Sequence, residues 1–256
     1  MDNTNNKEFW NHYVDYFENK INEANSDLHA DDKTAGDKIY EMYFKKLNVG
    51  REEKFLDFGC GFARLYPIYK ESIQSSENKG YFGIDISRRE LELAEKKHGD
   101  LKMGKSLIEF DGERIPFPDH SFDKITCWGV FDACLQEKIL RELLRVLNRG
   151  GVLLLTGKND RYYADDEAAL TAEVNARKKE HPNYFTDVTS MMEQLAEHKI
   201  RLAETFYFLR RGDFTVNRTT QAKPDIFYEW AFFLEKTNGY TDFEFRTFSN
   251  RFSEHF

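Results

Sequence analysis

Phe55-Leu56-Asp57-Phe58-Gly59-Cys60-Gly61-Phe62-Ala63-Arg64 is the stretch that decides the fold. An apolar run carries an acidic residue, two glycines follow with one residue between them, and a helical pattern opens behind. That order predicts a buried strand feeding a tight glycine loop at a helix N-terminus, where N–H groups without intrahelical partners can meet a ligand. Glycine tolerates positive φ and lets a ligand approach the main chain. Asp57 would set negative charge against a pyrophosphate. A ligand with a cationic end suits it better.

Outward from that stretch, short apolar runs alternate with helical patterns. Residues 54–58 read as a strand, and residues 80–84 as a second one ending at Asp85. Ser87-Arg88-Arg89-Glu90 has the spacing of a capping box, with serine at the N-cap and glutamate at N3. Residues 106–110 form a third expected strand ending at Asp111, and residues 122–128 a fourth. Ile139, Leu140, Leu143, Leu144 and Leu147 share one helical face, Arg149-Gly150-Gly151 is expected to stop that helix, and residues 152–156 read as a buried strand. Strands alternating with helices in this way imply a parallel sheet covered on both faces.

Before the sheet, residues 7–24 carry Phe9, Trp10, Tyr13, Val14, Phe17 and Ile21 at helical spacing, and residues 34–47 predict a second helix. Residues 25–32 read as the loop between them. After the sheet's fifth strand, residues 158–183 are polar and break the alternation. Asp187 is expected to cap a helix to His198, followed by strands over residues 201–209 and 226–235 joined as an antiparallel pair. There is no internal repeat and no low-complexity segment.

At 256 residues, with 40% hydrophobic and 32% charged residues, the chain fits one large α/β domain with a substantial core. A net charge of −8 argues against a general nucleic-acid binder, which needs a lysine and arginine excess to neutralise phosphates. No apolar run has membrane-spanning length, and the first residues lack signal-peptide character. Cys60, Cys127 and Cys134 show no paired metal-ligand spacing, so the expectation is a cytoplasmic protein.

In a doubly wound sheet, ligands sit outside the carboxyl ends of the strands. Asp57, Asp85 and Asp111 follow the first, second and third expected strands and therefore converge on one edge. An acid after the second strand can accept both hydroxyls of a ribose, and one after the third can accept from an exocyclic amine. Singly, each is as readily a helix cap or turn residue. Together they describe an adenosine site.

Leu56-Asp57-Phe58-Gly59-Cys60-Gly61, Gly83-Ile84-Asp85-Ile86-Ser87, residues 110–117, Ser121-Phe122-Asp123-Lys124-Ile125 and Leu147-Asn148-Arg149-Gly150-Gly151 resemble, in order and interval, the motifs of class I S-adenosylmethionine-dependent methyltransferases. The resemblance covers about residues 50–157, and residues 227–233 resemble the family's antiparallel seventh strand. It implies a single doubly wound α/β domain, with a seven-stranded, mostly parallel sheet and an antiparallel last strand. Residues 1–50 would be an N-terminal helical cap, 51–157 the cofactor-binding core, 158–186 an inserted lid, and 187–256 the remainder of the sheet with the tail.

The resemblance also implies roles. Gly59, Cys60 and Gly61 would form the loop against the methionine part of S-adenosylmethionine, with Asp57 favouring its ammonium directly or through water. Asp85 would hold the ribose hydroxyls and Ile86 would pack on the adenine. Asp111 and the Gly112 amide would read the adenine edge, and Cys127 and Trp128 would lie beside the sulfonium. Ala63 departs from the glycine that many relatives carry, though its small side chain suits helix–strand packing. The aromatic face of the first helix is core packing on one reading and a lid on the other, with Tyr13 or Trp10 near the sulfonium.

Methyl transfer is an in-line displacement for which the protein positions the acceptor and excludes water. An aliphatic hydroxyl acceptor needs a base, whereas an amine, thiol or phenolate need not have one. Asp132 and His181 are the candidate bases, and Tyr162, Tyr163, Arg177 and the Arg210-Arg211 pair are candidates for holding the acceptor. Asp132 with Asn159-Asp160 weakly resembles the divalent-cation set of catechol-type O-methyltransferases, but with only two carboxylates, so no metal is expected. The reading is methyl transfer to a small polar molecule, such as a sugar oxygen, without nucleic-acid or membrane partners. N-methylation, metal-assisted O-methylation, non-catalytic cofactor binding and a nicotinamide-dependent oxidoreductase are the alternatives.

Overall fold

The computed structural model describes residues 7–11, 35–110 and 114–251. Tyr13, Asp111, Gly112, the loop expected at residues 25–32 and most of the first expected helix lie outside them. Residues 7–11 are helical (α1), and α2 spans Ala35–Leu47.

Seven strands form one sheet. They are β1 (Phe55–Phe58), β2 (Tyr81–Asp85), β3 (Leu107–Glu109), β4 (Phe122–Cys127), β5 (Leu147–Lys158), β7 (Ile200–Phe208) and β8 (Glu229–Lys236), in the order β3-β2-β1-β4-β5-β8-β7. The pairs β3–β2, β2–β1, β1–β4 and β4–β5 are parallel. Strand β8 runs antiparallel to both of its neighbours, β5 and β7. All four residues of β1 are buried, as a central strand covered on both faces requires. Leu56 sits in register between Phe82 and Ile125. Chain order reverses on either side of β1, and a crevice opens at the carboxyl ends of β1 and β4.

Helices cover the two faces. On one, α2, α3 (Tyr66–Ser72) and α4 (Arg88–Lys97) bury Tyr43, Phe44, Tyr66, Tyr69, Leu91 and Ala94 against the sheet. On the other, α5 (Gln136–Val146) and α7 (Val188–Glu197) bury Ile139, Leu140, Leu143, Leu144, Met191 and Leu195. Each fully buried leucine, methionine or phenylalanine among them contributes about 1.5–3 kcal/mol relative to exposure.

Three features differ from the expectation. Leu147 does not extend α5: it opens β5 and pairs with Phe122, so Arg149-Gly150-Gly151 lies inside an irregular strand instead of ending a helix. A side chain at residue 151 would come within 2.9 Å of the Asn148 and Asp123 carbonyls. The helix end is held by Lys236, whose buried Nζ donates to the carbonyls of Leu144 (2.7 Å) and Leu147 (2.8 Å). Burial pushes that ammonium down to about 8.

The polar segment after β5 is also more regular than its composition suggests. It holds α6 (Glu167–Lys178), where the Asp166 carboxylate accepts the Ala169 N–H at 3.1 Å. Finally, β6 (Phe185–Thr186) pairs antiparallel with β9 (Ser249–Asn250) in a second, two-stranded sheet that the sequence did not announce. The Asp187 cap on α7 is present, accepting from Ser190 N at 2.9 Å.

Candidate active site

A cavity of about 300 Å³ lies at the carboxyl ends of β1, β2 and β4, at the low end of the range for small-molecule sites. The glycine loop forms its floor. Gly59 and Gly61 have φ of 71° and 50°, in the left-handed region that glycine enters at little cost. A Cβ on residue 59 would also lie 2.4 Å from Cγ2 of Val130, so the loop is pressed against the segment after β4. Ala63 adopts φ of 59°. Its departure from glycine therefore concerns backbone conformation as well as packing space.

The carboxylates of Asp57, Asp85 and Glu90 line the cavity beside this loop. Asp57 accepts hydrogen bonds from the Tyr81 hydroxyl (2.7 Å) and the Thr126 hydroxyl (3.0 Å). Burial pushes its carboxyl up to about 6, against the downward pull of those hydroxyls. Asp85 is used structurally: Oδ2 accepts the Gly61 N–H and Oδ1 the Ser87 N–H, each at 2.8 Å. It thereby ties the glycine loop to the start of α4. Cys60 lines the cavity as well, with its Sγ directed to the Gly61 carbonyl at 3.4 Å. A side chain at Gly83 would strike that sulfur at 2.7 Å. Ile86 and Phe110 complete the β2 and β3 side.

The far wall is aromatic. Trp10, Tyr40 and Trp128 all face the cavity, and the Tyr40 and Trp128 rings meet edge-on with centroids 4.3 Å apart. Arg64 also lines it and sits over the Tyr40 ring at 5.7 Å. Burial holds the Tyr40 phenol well above its usual value, so it stays protonated. Trp128 thus lines the cavity, and Cys127 does not. Cys127 is fully buried among Phe131, Leu155 and their neighbours on the opposite face of the sheet, because successive residues of an extended chain point to opposite sides.

Neither candidate base lines the cavity. Asp132 lies in the short 3-10 helix Phe131–Ala133, where Oδ1 accepts the Lys158 N–H at 2.9 Å and its backbone carbonyl accepts the Tyr184 N–H at 2.7 Å. Burial raises its carboxyl to about 6. The His181 ring packs edge-on to Phe9 and Trp10, at 5.2 and 5.0 Å, with Nδ1 2.6 Å from the Pro182 carbonyl. Burial lowers its pKa, favouring the neutral ring. His181 meets the cavity wall through Trp10.

The polar groups of the segment after β5 bond to one another and to residues around the ends of β7 and β8. Lys158 Nζ donates to Asn183 (2.6 Å) and Glu173 (3.2 Å), and Asn183 donates to Glu173. The Tyr228 hydroxyl donates to Glu173 at 2.7 Å and accepts from Arg211 at 2.8 Å. Arg210 pairs with Asp165 and lies over the Tyr163 ring. Tyr162 is buried with Phe185 and Tyr228. Asn159 turns its amide to the Arg161 carbonyl, and among the described residues no three acidic, histidine or cysteine side chains group as a metal site.

Sequence reasoning passed over Tyr40, Arg64 and Glu90, which all line the cavity. Arg64 stood in the opening stretch without being read. Glu90 was read as a helix-capping residue. Tyr40 carried no local signal, because only the packing of α2 brings it to β4.

Residues 56–155 match the methyltransferase domain family. A demethylmenaquinone methyltransferase from Geobacillus sp. (strain WCH70) is 31% identical over 113 residues, covering 43% of this chain and 47% of that protein. Methyltransferase GfsG from Streptomyces halstedii is 28% identical over 157 residues, covering 57% and 54%. The chain thus spans about half the length of these curated relatives. Among solved structures, an S-adenosylmethionine-dependent methyltransferase from Thermotoga maritima, described as a possible histamine N-methyltransferase, superimposes with a TM-score of 0.59 at 16% identity. It covers 90% of this chain and 99% of that one, a likeness of fold.

Proposed function

We propose that this chain, whose residues 56–155 match the methyltransferase domain family, is a class I S-adenosylmethionine-dependent methyltransferase that moves a methyl group from that cofactor to a small-molecule acceptor. The glycine-floored cavity carries the reading: a loop that admits no side chain at residue 59, flanked by the carboxylates of Asp57 and Asp85. A phosphate-bearing dinucleotide would meet those carboxylates as like charges. A ligand with an ammonium and a ribose diol suits them. When bound, S-adenosylmethionine supplies an activated sulfonium methyl. Asp57 would favour its ammonium, Asp85 its ribose hydroxyls, and Ile86 with Phe110 its adenine. Asp111 and the Gly112 amide are proposed for the adenine edge. Trp10, Tyr40 and Trp128 would exclude water and attract the sulfonium through their ring faces.

The acceptor reading turns on the lid. Its polarity first suggested a sugar-like acceptor, yet its charged groups are bonded to each other. A saturated hydroxyl needs a base, and Asp132 and His181 stand off the cavity wall. The aromatic wall suits a flat ring whose own ionisable hydroxyl activates it. A phenol- or quinol-type acceptor fits this, methylated at oxygen or at an adjacent ring carbon. A relative from Campylobacter jejuni, named a ubiquinone/menaquinone biosynthesis C-methyltransferase, lends support to the carbon option.

Calorimetry with S-adenosylmethionine, S-adenosylhomocysteine and NAD tests the donor. Heat is expected with both sulfur ligands, and its absence with either would overturn the proposal. Release of S-adenosylhomocysteine across hydroquinones, catechols, sugars and amines tests the acceptor. Turnover confined to sugars or amines would reject the ring reading.

A further inference from the structure

The start of α4 holds half of a capping box. Ser87 Oγ accepts the Glu90 N–H at 3.3 Å, as the motif requires. The reciprocal bond, from the N3 glutamate back to the N-cap N–H, has been taken over: Ser87 N donates to Asp85 at 2.8 Å. Glu90 is thereby released from its capping role. Its side chain lines the cavity, with Oε2 shut off from solvent and 3.7 Å from where a Cβ on Gly61 would lie. Asp85, meanwhile, spends one position on each oxygen holding the Gly61 and Ser87 amides.

We propose that Glu90 accepts a hydrogen bond from one of the two vicinal ribose hydroxyls of the cofactor, leaving the other to Asp85. This rests on the S-adenosylmethionine reading. A carboxylate accepts up to about four hydrogen bonds, so Glu90 has capacity for a ligand hydroxyl whatever else it contacts. A vicinal diol supplies O–H donors of the kind a carboxylate accepts. Glu90 also stands on the correct side. It belongs to the β2–α4 junction with Asp85 and Ile86, whereas Asp57, proposed for the ammonium, belongs to β1. Two carboxylates, one per hydroxyl, would make this chain more demanding of an intact diol than a site with one carboxylate already engaged by two amides.

The test is calorimetry of S-adenosylhomocysteine and its 2′-deoxy and 3′-deoxy analogues with wild type, Glu90→Leu and Glu90→Gln. Loss of a hydrogen bond to a charged group should weaken each analogue about tenfold or more with wild type. Glu90→Leu should erase the preference against one analogue and keep it against the other. Glu90→Gln, nearly isosteric and still an acceptor, should fall between and provides the measurement if the leucine variant does not fold. Thermal melts of the free proteins check folding. Variants that discriminate against both analogues as wild type does would overturn the assignment, as would a wild type indifferent to both. A wild type that binds neither sulfur ligand would instead sink the methyltransferase reading itself.

Discussion

A single methyl group decides whether the glycine loop can exist. At residue 59 the backbone has φ of 71°, and an added Cβ would lie 2.4 Å from Val130. Left-handed backbone costs a residue with a Cβ about 1–2 kcal/mol, and overpacking adds about 1–3 kcal/mol. Gly59→Ala should therefore lower the melting temperature and weaken S-adenosylhomocysteine at least tenfold, as read by calorimetry; unchanged affinity would separate the loop from the ligand. Asp57 offers a second test at this scale. Its carboxyl is raised to about 6 by burial, and only the ionised form favours an ammonium. Affinity for S-adenosylhomocysteine should rise several-fold, up to about tenfold, as pH increases from 5 to 7.5, because Asp57 loses its proton through that interval. Asp57→Asn should bind more weakly at pH 7.5 and show a flatter profile. A wild-type affinity constant across the interval would remove Asp57 from the ammonium role.

At the scale of elements, the legible parts are those whose signal is local. Strand β1, the Asp85 turn and, apart from Leu147, the apolar face of α5 follow from period and turn chemistry within a dozen residues, and each stands where the pattern put it. Elements defined by remote partners were not legible. Strand β6 is two residues long and exists because Ser249 and Asn250 pair with it. The Gly150-Gly151 pair reads locally as a helix stop, yet pairing of Leu147 with Phe122 makes it strand. The cavity residues at the ends of β1 and β2 could be read because strand ends carry a local signal. The placement of Asp132 and His181 could not, since they looked the same in sequence whether they faced the cavity or each found a neighbour elsewhere. Helix α6 shows what the polarity of residues 158–183 does. Asp166 accepts from Ala169 N at 3.1 Å and from Arg211 N at 2.8 Å, capping the helix and fixing the turn after β7 with one carboxylate. Asp166→Ala should cost about 1–2 kcal/mol, seen as a shift in denaturant midpoint at constant slope. It should leave S-adenosylhomocysteine affinity within about twofold, because Asp166 lies off the cavity wall. A variant as stable as wild type would show that the cap is not needed.

Across the whole molecule, the helical layer formed by α5 and α7 is closed by a strap that returns late in the chain. Glu137 on α5 accepts the N–H groups of Phe248 and Ser249 and the Ser249 hydroxyl, each at 2.8 Å. Gln194 on α7 accepts the Arg246 N–H at 2.7 Å, and Asp187 N donates to the Phe248 carbonyl at 2.7 Å. One segment thus joins α5, α7 and β6. Because β6 follows Tyr184, whose N–H holds the Asp132 carbonyl, the strap also braces the turn that carries Val130 to the cavity. Glu137→Ala would leave the nearly buried Phe248 N–H without its carboxylate. An unmet buried donor costs about 1–3 kcal/mol, and at this chain length each kcal/mol lowers the melting temperature by about 2–4 °C. Hydrogen exchange should speed up at residues 185–186 and 248–249, while β1, β2 and β4 keep wild-type protection. Glu137→Gln, which retains one acceptor oxygen, should lie between the two. If exchange at β6 is the same in Glu137→Ala as in wild type, the two-stranded sheet holds without the strap. If it quickens throughout the central strands instead, Glu137 supports the core as a whole and not this one closure.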